Sequence, residues 1–120
     1  MGKILYPELS YKITGLCFKL QAELGRFCRE IQYSNRLEKM LRLHKVNYRR
    51  EYEIAAGNKV DFLVEDSIII DIKAKRFILK EDYFQMQRYL QSSGKELGLI
   101  INFRSVYLKP KRVLNLKLFG

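Results

Sequence analysis

Histidine is nearly absent from this chain of 120 residues, tryptophan is missing, and there are only two cysteines and two prolines. Each scarcity removes a class of explanation. The one histidine, His44, follows the expected end of a helix, where a cation suits the macrodipole. Most histidine-based mechanisms therefore have no residue to use, and neither a serine–histidine pair nor a glycine-rich phosphate loop is present. Cys17 and Cys28 form neither a disulfide framework nor a zinc motif. They read as reduced, mostly buried small apolar residues within helices. Pro7 and Pro110 lie near the two ends, with no linker, repeat or low-complexity tract between them, so residues 1–120 are expected to form one domain. No stretch approaches the roughly 18 apolar residues of a membrane span. The opening MGKILYPELSYK meets Pro7 and Glu8 too early for a signal-peptide core. The expected setting is the cytoplasm, away from any membrane.

Negative charge is also in short supply. Against 23 Lys+Arg stand 13 Asp+Glu, a net charge of +10 at pH 7. Such an excess favours a polyanionic partner, because each phosphate neutralised by Lys or Arg releases counterions. A basic protein without such a partner would share this composition.

Apolar spacing organises the rest. Leu9, Ile13, Leu16, Cys17, Leu20 and Leu24 predict a helix over Glu8–Leu24, stopped by Gly25. A second helix is expected from about Cys28 to Leu43, burying Ile31, Leu37, Met40 and Leu41. Val46–Ile54 reads as a strand with Val46, Tyr48, Tyr52 and Ile54 on one side, followed by a turn at AAGNK. Two short apolar strands, Val60–Val64 and Ile68–Lys73, flank Glu65-Asp66-Ser67. A helix over Glu81–Gln91 has acidic residues at its start, as the dipole prefers, and Ser92-Ser93-Gly94-Lys95 ends it. Leu97–Phe103 and Arg112–Phe119 complete the strands. A strand, helix and wholly apolar strand in succession suggest a right-handed parallel crossover. The fold class is α/β in the sense of an α+β mixed sheet, in the order α-α-β-β-β-α-β-β.

Two of the acidic residues, Asp61 and Asp71, fall where they are least expected, on the apolar strands of the hairpin VDFLVEDSIIIDIKAK. If Val64 pairs with Ile68 across the turn, Asp61 lies opposite Asp71, and Lys73 points to the same side as Asp71. Two like charges so close beside apolar strands need compensation. A divalent cation supplies it, since Mg²⁺ and Mn²⁺ take hard carboxylate oxygens. Lys73 can pair with the carboxylates, orient or deprotonate a water beside the cation, or stabilise charge growing on a phosphate. The bland reading is a salt bridge between Lys73 and Asp71 at the rim of a sheet, and a bare D-x₉-D-x-K match does not exclude it.

The spacing and order of further segments go beyond that bare match. ELSYKITG, AELG at Ala22–Gly25, Glu30, Tyr33, VDFLV, IIIDIKA, the Gln85-x-x-x-Tyr89-Leu90 pattern and GLIINF follow one another from Glu8 to Phe103. In this the chain resembles the PD-(D/E)xK phosphodiesterase superfamily, the restriction-endonuclease-like fold, and within it the small GxxExxY proteins. Val60 stands where that pattern often has proline, Asp71 where glutamate is common, and Phe27 where GxxExxY has its glycine.

The resemblance implies a metal-dependent nuclease acting on DNA before RNA, with Mg²⁺ or Mn²⁺ as cofactor. It makes Asp61, Asp71 and the Ile72 carbonyl metal ligands, Lys73 the catalytic lysine, and Glu30 the acidic helix residue that completes the site. Tyr33, one turn from Glu30, would support it. Gln85 and Tyr89, four apart on one helix face, would approach the substrate. Lys75, Arg76 and Arg88 could track phosphates, although each also suits a general cationic surface. So short a chain leaves little room for target recognition, so specificity is expected to need a homodimer or a partner protein. The alternatives are a nucleic-acid-binding module that keeps the fold without cutting, and a protein-interaction subunit using an exposed sheet edge.

Overall fold

Helix α1 (Pro7–Leu24) opens on a proline, whose missing amide hydrogen is harmless in a first turn. It buries Ile13, Leu16, Cys17 and Leu20 at helical spacing. This computed structural model describes residues 5–55 and 57–120, so the first four residues and Ala56 of the expected AAGNK turn lie outside the described residues. After α1 come α2 (Glu30–Leu43), β1 (Tyr48–Glu53), β2 (Lys59–Val64), β3 (Ile68–Lys73), α3 (Lys80–Ser93), β4 (Leu97–Asn102), β5 (Lys111–Leu114) and α4 (Leu116–Phe119). The expected order holds, with one short helix added at its end.

That addition corrects the last expected strand, Arg112–Phe119, which stops at Leu114. Asn115 turns the chain. Its buried side-chain nitrogen donates to the carbonyls of Leu90 (3.1 Å) and Lys95 (2.9 Å), and its oxygen accepts from Lys117 N–H to cap α4. Two other expectations also change. Ile31 is half exposed, because α2 turns Tyr33, Ser34, Leu37, Met40 and Leu41 inward instead. Cys28 lies in the α1–α2 turn, outside any helix, and its thiol donates to the Leu24 carbonyl. Cys17 is fully buried as expected, and burial pushes its thiol up to about 12.

The five strands lie in the order β1-β2-β3-β4-β5, antiparallel throughout except for the parallel β3–β4 pair joined by α3. One face packs Phe62, Ile70, Ile72 and Ile101 against α1 and α2. The other packs Leu63, Ile69 and Ile100 against Met86 and Leu90 of α3. Because strand residues alternate faces, Asp71 and Lys73 share the α3 side with Ile69.

β1 departs from simple alternation. Tyr48 packs with the α1–α2 side, whereas Tyr52 and Ile54 pack with the α3 side, so the four residues expected on one face are divided between two. Glu51 is the cause, with φ of 50° in mid-strand. On β2, opposite this twist, Phe62 faces α1–α2 while Val60 faces the α3 side. The pairings on either side, Arg50 with Phe62 and Tyr52 with Val60, are kept. Asp61 is the residue at which β2 changes sides.

Helix α3 approaches the sheet closely at Gly98. A Cβ there would lie 2.3 Å from Met86 Sδ and 2.8 Å from its Cγ, and Met86 is completely buried. We expect Gly98→Val to destabilise the fold by about 1–3 kcal/mol, as overpacking does. Urea unfolding measures this as a lower midpoint at unchanged slope, and an unchanged midpoint would show that α3 can slide without loss.

Candidate active site

The hairpin register is the one its turn implies. Val64 pairs with Ile68, Leu63 with Ile69, and Phe62 with Ile70. Glu65 and Asp66 both take positive φ (50° and 56°), and Ser67 N–H returns to the Val64 carbonyl at 2.9 Å, closing the turn tightly. The ladder ends there and does not extend to an Asp61–Asp71 pair. Where the next rung would fall, the Asp61 carboxylate takes the place of backbone, and its Oδ2 accepts the Ile72 N–H at 2.6 Å. Neighbouring N–H and C=O groups of one strand residue point the same way, so the Ile72 carbonyl faces this same opening past the end of the ladder.

Asp71 is the exceptional group. Its side chain is 9% exposed, and its Oδ2 is a buried oxygen with no hydrogen-bond donor. Lys73 Nζ lies 3.3 Å from that oxygen, an ion-pair contact without hydrogen-bond alignment. Burial pushes the Asp71 carboxyl up to about 7, with Lys73 pulling it down and Asp61 pushing it up again. Asp61 is therefore close enough for its charge to oppose ionisation of Asp71, although the two are not a ladder pair.

Lys73 is held from three sides. Its Nζ donates to Gln85 Oε1 at 3.1 Å and lies 3.7 Å from Asp82 Oδ1 as well as beside Asp71. Burial draws its pKa down, but Asp71 first, then Asp82 and Glu30, more than offset this and leave it raised. At neutral pH Lys73 is an ammonium, a donor of hydrogen bonds and not a base.

Asp82 is a central member that the sequence did not single out. It sits in the first turn of α3, buried, and its Oδ2 accepts the Leu79 N–H at 2.7 Å to cap the helix. The same carboxylate binds Lys75 Nζ at 2.5 Å and reaches Lys73. Burial raises the pKa of Asp82, but the Leu79 amide and the two lysines outweigh that and lower it. The available signal was the acid three residues into a helix, which reads as a cap and nothing more. Asn102 was missed as well. Buried at the end of β4, it accepts from Lys75 N–H (3.1 Å) and donates to the Lys75 carbonyl (2.7 Å), fixing the exit of β3.

The remaining candidates divide. Glu30, the first residue of α2, is exposed and lines a cleft of about 330 Å³ with Arg50, Glu51 and Asp61. Its charge is felt at Lys73. Among the described residues, however, no three His, Cys, Asp or Glu side chains gather closely enough to hold a metal ion, so Glu30 does not join Asp61 and Asp71 in one cluster. Tyr33 does not support Glu30. It is buried, its ring stacks on Phe103 at 4.3 Å, and its hydroxyl binds the Gly25 carbonyl and Cys28 N–H, which pins the α1–α2 turn. Gln85 touches Lys73, as stated, so its amide oxygen serves the lysine. Tyr89 is half-buried near the carboxylates; burial and then the Asp71 charge raise its pKa. Lys75 is occupied by Asp82. Arg76 and Arg88 are exposed and without an acidic partner among the described residues.

The donor set suits a hard divalent cation. A buried carboxylate oxygen without a donor, a second carboxylate beside it and a carbonyl facing the same opening are oxygen ligands of the kind Mg²⁺ accepts, with water filling the rest.

Comparison with known proteins agrees with this geometry. A family model for the PD-(D/E)XK nuclease superfamily matches residues 7–113, and the chain belongs to that superfamily. Its nucleases typically use divalent metals. Among solved structures, the crystal structure of SSO0001 shares the fold with a TM-score of 0.55 at 21% identity. The match covers 89% of this chain and 58% of that one, so the chain spans less than two thirds of that protein's length. No curated protein matches. Among the described residues no helix is long and apolar enough to cross a membrane.

The Asp71 environment predicts an unusual pH dependence. A carboxyl whose folded pKa lies above its unfolded value contributes stability that is complete below about 4 and is lost as pH rises through about 7. Without metal, the wild-type thermal midpoint should therefore fall by several degrees between pH 6 and pH 8, and Asp71→Asn should remove most of that fall. Parallel curves for the two proteins would show that Asp71 ionises without cost.

Proposed function

We propose that the chain is a metal-dependent nuclease, hydrolysing phosphodiester bonds in DNA before RNA. The observation that carries this reading is the buried Asp71 oxygen without a donor, set beside Asp61 and the Lys73 ammonium on the β2–β3 hairpin. Asp61, Asp71 and the Ile72 carbonyl would hold Mg²⁺ or Mn²⁺, with Glu30 across the cleft acting through intervening water. The cation would polarise a phosphate oxygen. Lys73, as an ammonium, donates to the attacking water or to a non-bridging phosphate oxygen and stabilises the charge that grows there. Gln85 and Asp82 hold that ammonium in place, and this restricts its rotamers before substrate arrives. Gln85 and Tyr89 line the approach of the substrate, and Arg76 and Arg88 are free to meet its phosphates. Within the superfamily we place the chain with the small GxxExxY proteins, on Glu30 and Tyr33. We also read residues 1–120 as one domain acting in the cytoplasm, gaining specificity from a homodimer or partner protein.

Incubation of the purified protein with supercoiled, linear and single-stranded DNA, and with RNA, in Mg²⁺ or Mn²⁺ tests the reading. Cleavage should require the metal, fall about 10²–10³-fold in Lys73→Ala, the size seen when one transition-state donor is lost, and fall at least as far in Asp71→Ala, which removes a metal ligand. Gln85→Ala, which loosens the lysine without removing it, should cost less. Activity unchanged in both site variants would overturn the reading. Salt-sensitive binding that survives them, without metal dependence, would instead identify a non-cutting nucleic-acid-binding module.

A further inference from the structure

The turn between α1 and α2 carries a feature that the carboxylate site does not use. Phe27 is 74% exposed in this turn, next to Arg26. Two guanidiniums stand over the ring, with Arg26 Cζ 5.1 Å and Arg104 Cζ 5.2 Å from its centroid, and the rest of the ring surface stays open. They come from chain positions far apart and lock each other. Arg26 Nε donates to the Arg104 carbonyl and Arg104 Nε to the Arg26 carbonyl, each at 2.9 Å. Neither has an acidic partner within salt-bridge distance among the described residues. Two like charges are thus held over one exposed aromatic ring, and among the described residues the terminal nitrogens of Arg26 make no hydrogen bond. Such an arrangement is repulsive by itself and is relieved by an anion.

Its position ties it to the site. Arg104 follows the end of β4, and its Nη2 contacts the Ala74 carbonyl, the residue after Lys73, at 3.5 Å. Asn102, which fixes the exit of β3 at Lys75, also accepts from Arg104 N–H at 3.3 Å. Glu30 lies only three residues beyond Phe27. The ring and its guanidiniums therefore stand at the carboxyl edge of β3 and β4, next to the hairpin that carries Asp71 and Lys73.

We infer that Phe27, Arg26 and Arg104 form a platform for an unpaired nucleotide beside the carboxylate site, so that the preferred substrate is single-stranded or has a frayed end. This rests on the nuclease reading above and specifies its substrate. An exposed ring offers a stacking face to any base, whereas bases inside a duplex are already stacked on one another. Arginine adds both a planar stacking surface and charge-assisted donors to the adjoining phosphate. Phenylalanine has no hydrogen-bonding group, so the platform selects strandedness and not sequence.

Binding in EDTA, where no metal-dependent step intervenes, separates this inference from catalysis. Fluorescence anisotropy would compare labelled oligothymidylate, oligouridylate and a DNA duplex of equal length on the full chain. Phe27→Ala and Phe27→Leu should each weaken single-strand binding about 5- to 100-fold, the range for loss of one stacked base, and lower the ratio of single-strand to duplex affinity. Phe27→Trp should retain both. Leucine keeps the apolar bulk without the π-face, and circular dichroism melting of each variant checks that the turn still folds. The two single strands show whether the platform takes DNA, RNA or both. Unchanged single-strand affinity in folded Phe27→Ala, with metal-dependent cleavage intact in the wild type, overturns the platform alone. An equal loss for single strand and duplex also overturns it. Failure of the wild type to bind any nucleic acid in EDTA overturns the platform, and overturns the nuclease reading with it only if cleavage in Mg²⁺ or Mn²⁺ is also absent.

Discussion

A carboxylate removed from water on a sheet, with one oxygen given no donor, is costly, and the neighbourhood of Asp71 is arranged around that cost. The opposite charge nearest to it, Lys73, is not aligned to satisfy it. A structural ion pair would close this gap, because the side chains are near enough to do so. Instead the Lys73 ammonium donates to Gln85, and its 3.3 Å approach to the Asp71 oxygen makes no hydrogen bond. Buried unsatisfied groups of this kind persist when something else completes them, or when their reactivity is used.

The backbone contributes through a single residue. Glu51 adopts a left-handed φ in the middle of β1, which a non-glycine residue reaches only at a cost of roughly 1–2 kcal/mol. The twist moves β1 and β2 from one face of the sheet to the other within one pairing step. At the crossing point Asp61 is neither in one core nor in the other. It is left in the plane of the sheet, where its carboxylate can cap the Ile72 amide and still lie beside Asp71. A regular strand would have placed Asp61 on a face and continued the ladder. The strain at Glu51 and the position of Asp61 are thus parts of one distortion.

Much of this was legible from the residue pattern. Strand lengths, the hairpin register and the parallel β3–β4 pair follow from apolar spacing and turn residues, because burial on two faces admits few arrangements of VDFLV and IIIDI. Asp61, Asp71 and Lys73 were reached by counting across a turn, and Gln85 through the resemblance to the superfamily's helix pattern. What escaped were features set by contacts distant in sequence. The face change at Glu51 has no local signal, since glutamate does not favour positive φ. Tyr33 looked like a neighbour of Glu30 by helical spacing, but Phe103 supplies a stacking partner that no local count reveals. Asp82 was hidden because helix capping already explained it. Asn115 was read as strand because its capping bonds reach back to Leu90 and Lys95.

The distribution of cations follows from the same arrangement. Lys73 and Lys75 are both held by Asp82, so their charge is spent within the protein and compensates local negative charge. They add little to long-range attraction. The net charge of +10 must therefore act through residues without acidic partners, among them Arg26, Arg76, Arg88 and Arg104. Three of these leave the loops around the site and the fourth lies on α3. Phosphate attraction and the reactive geometry are consequently carried by different side chains, one set without acidic partners and salt-sensitive, the other partly buried, ion-paired and little affected by salt. Such a division lets affinity for a strand change at the rim while the carboxylates and their lysine stay where the sheet holds them.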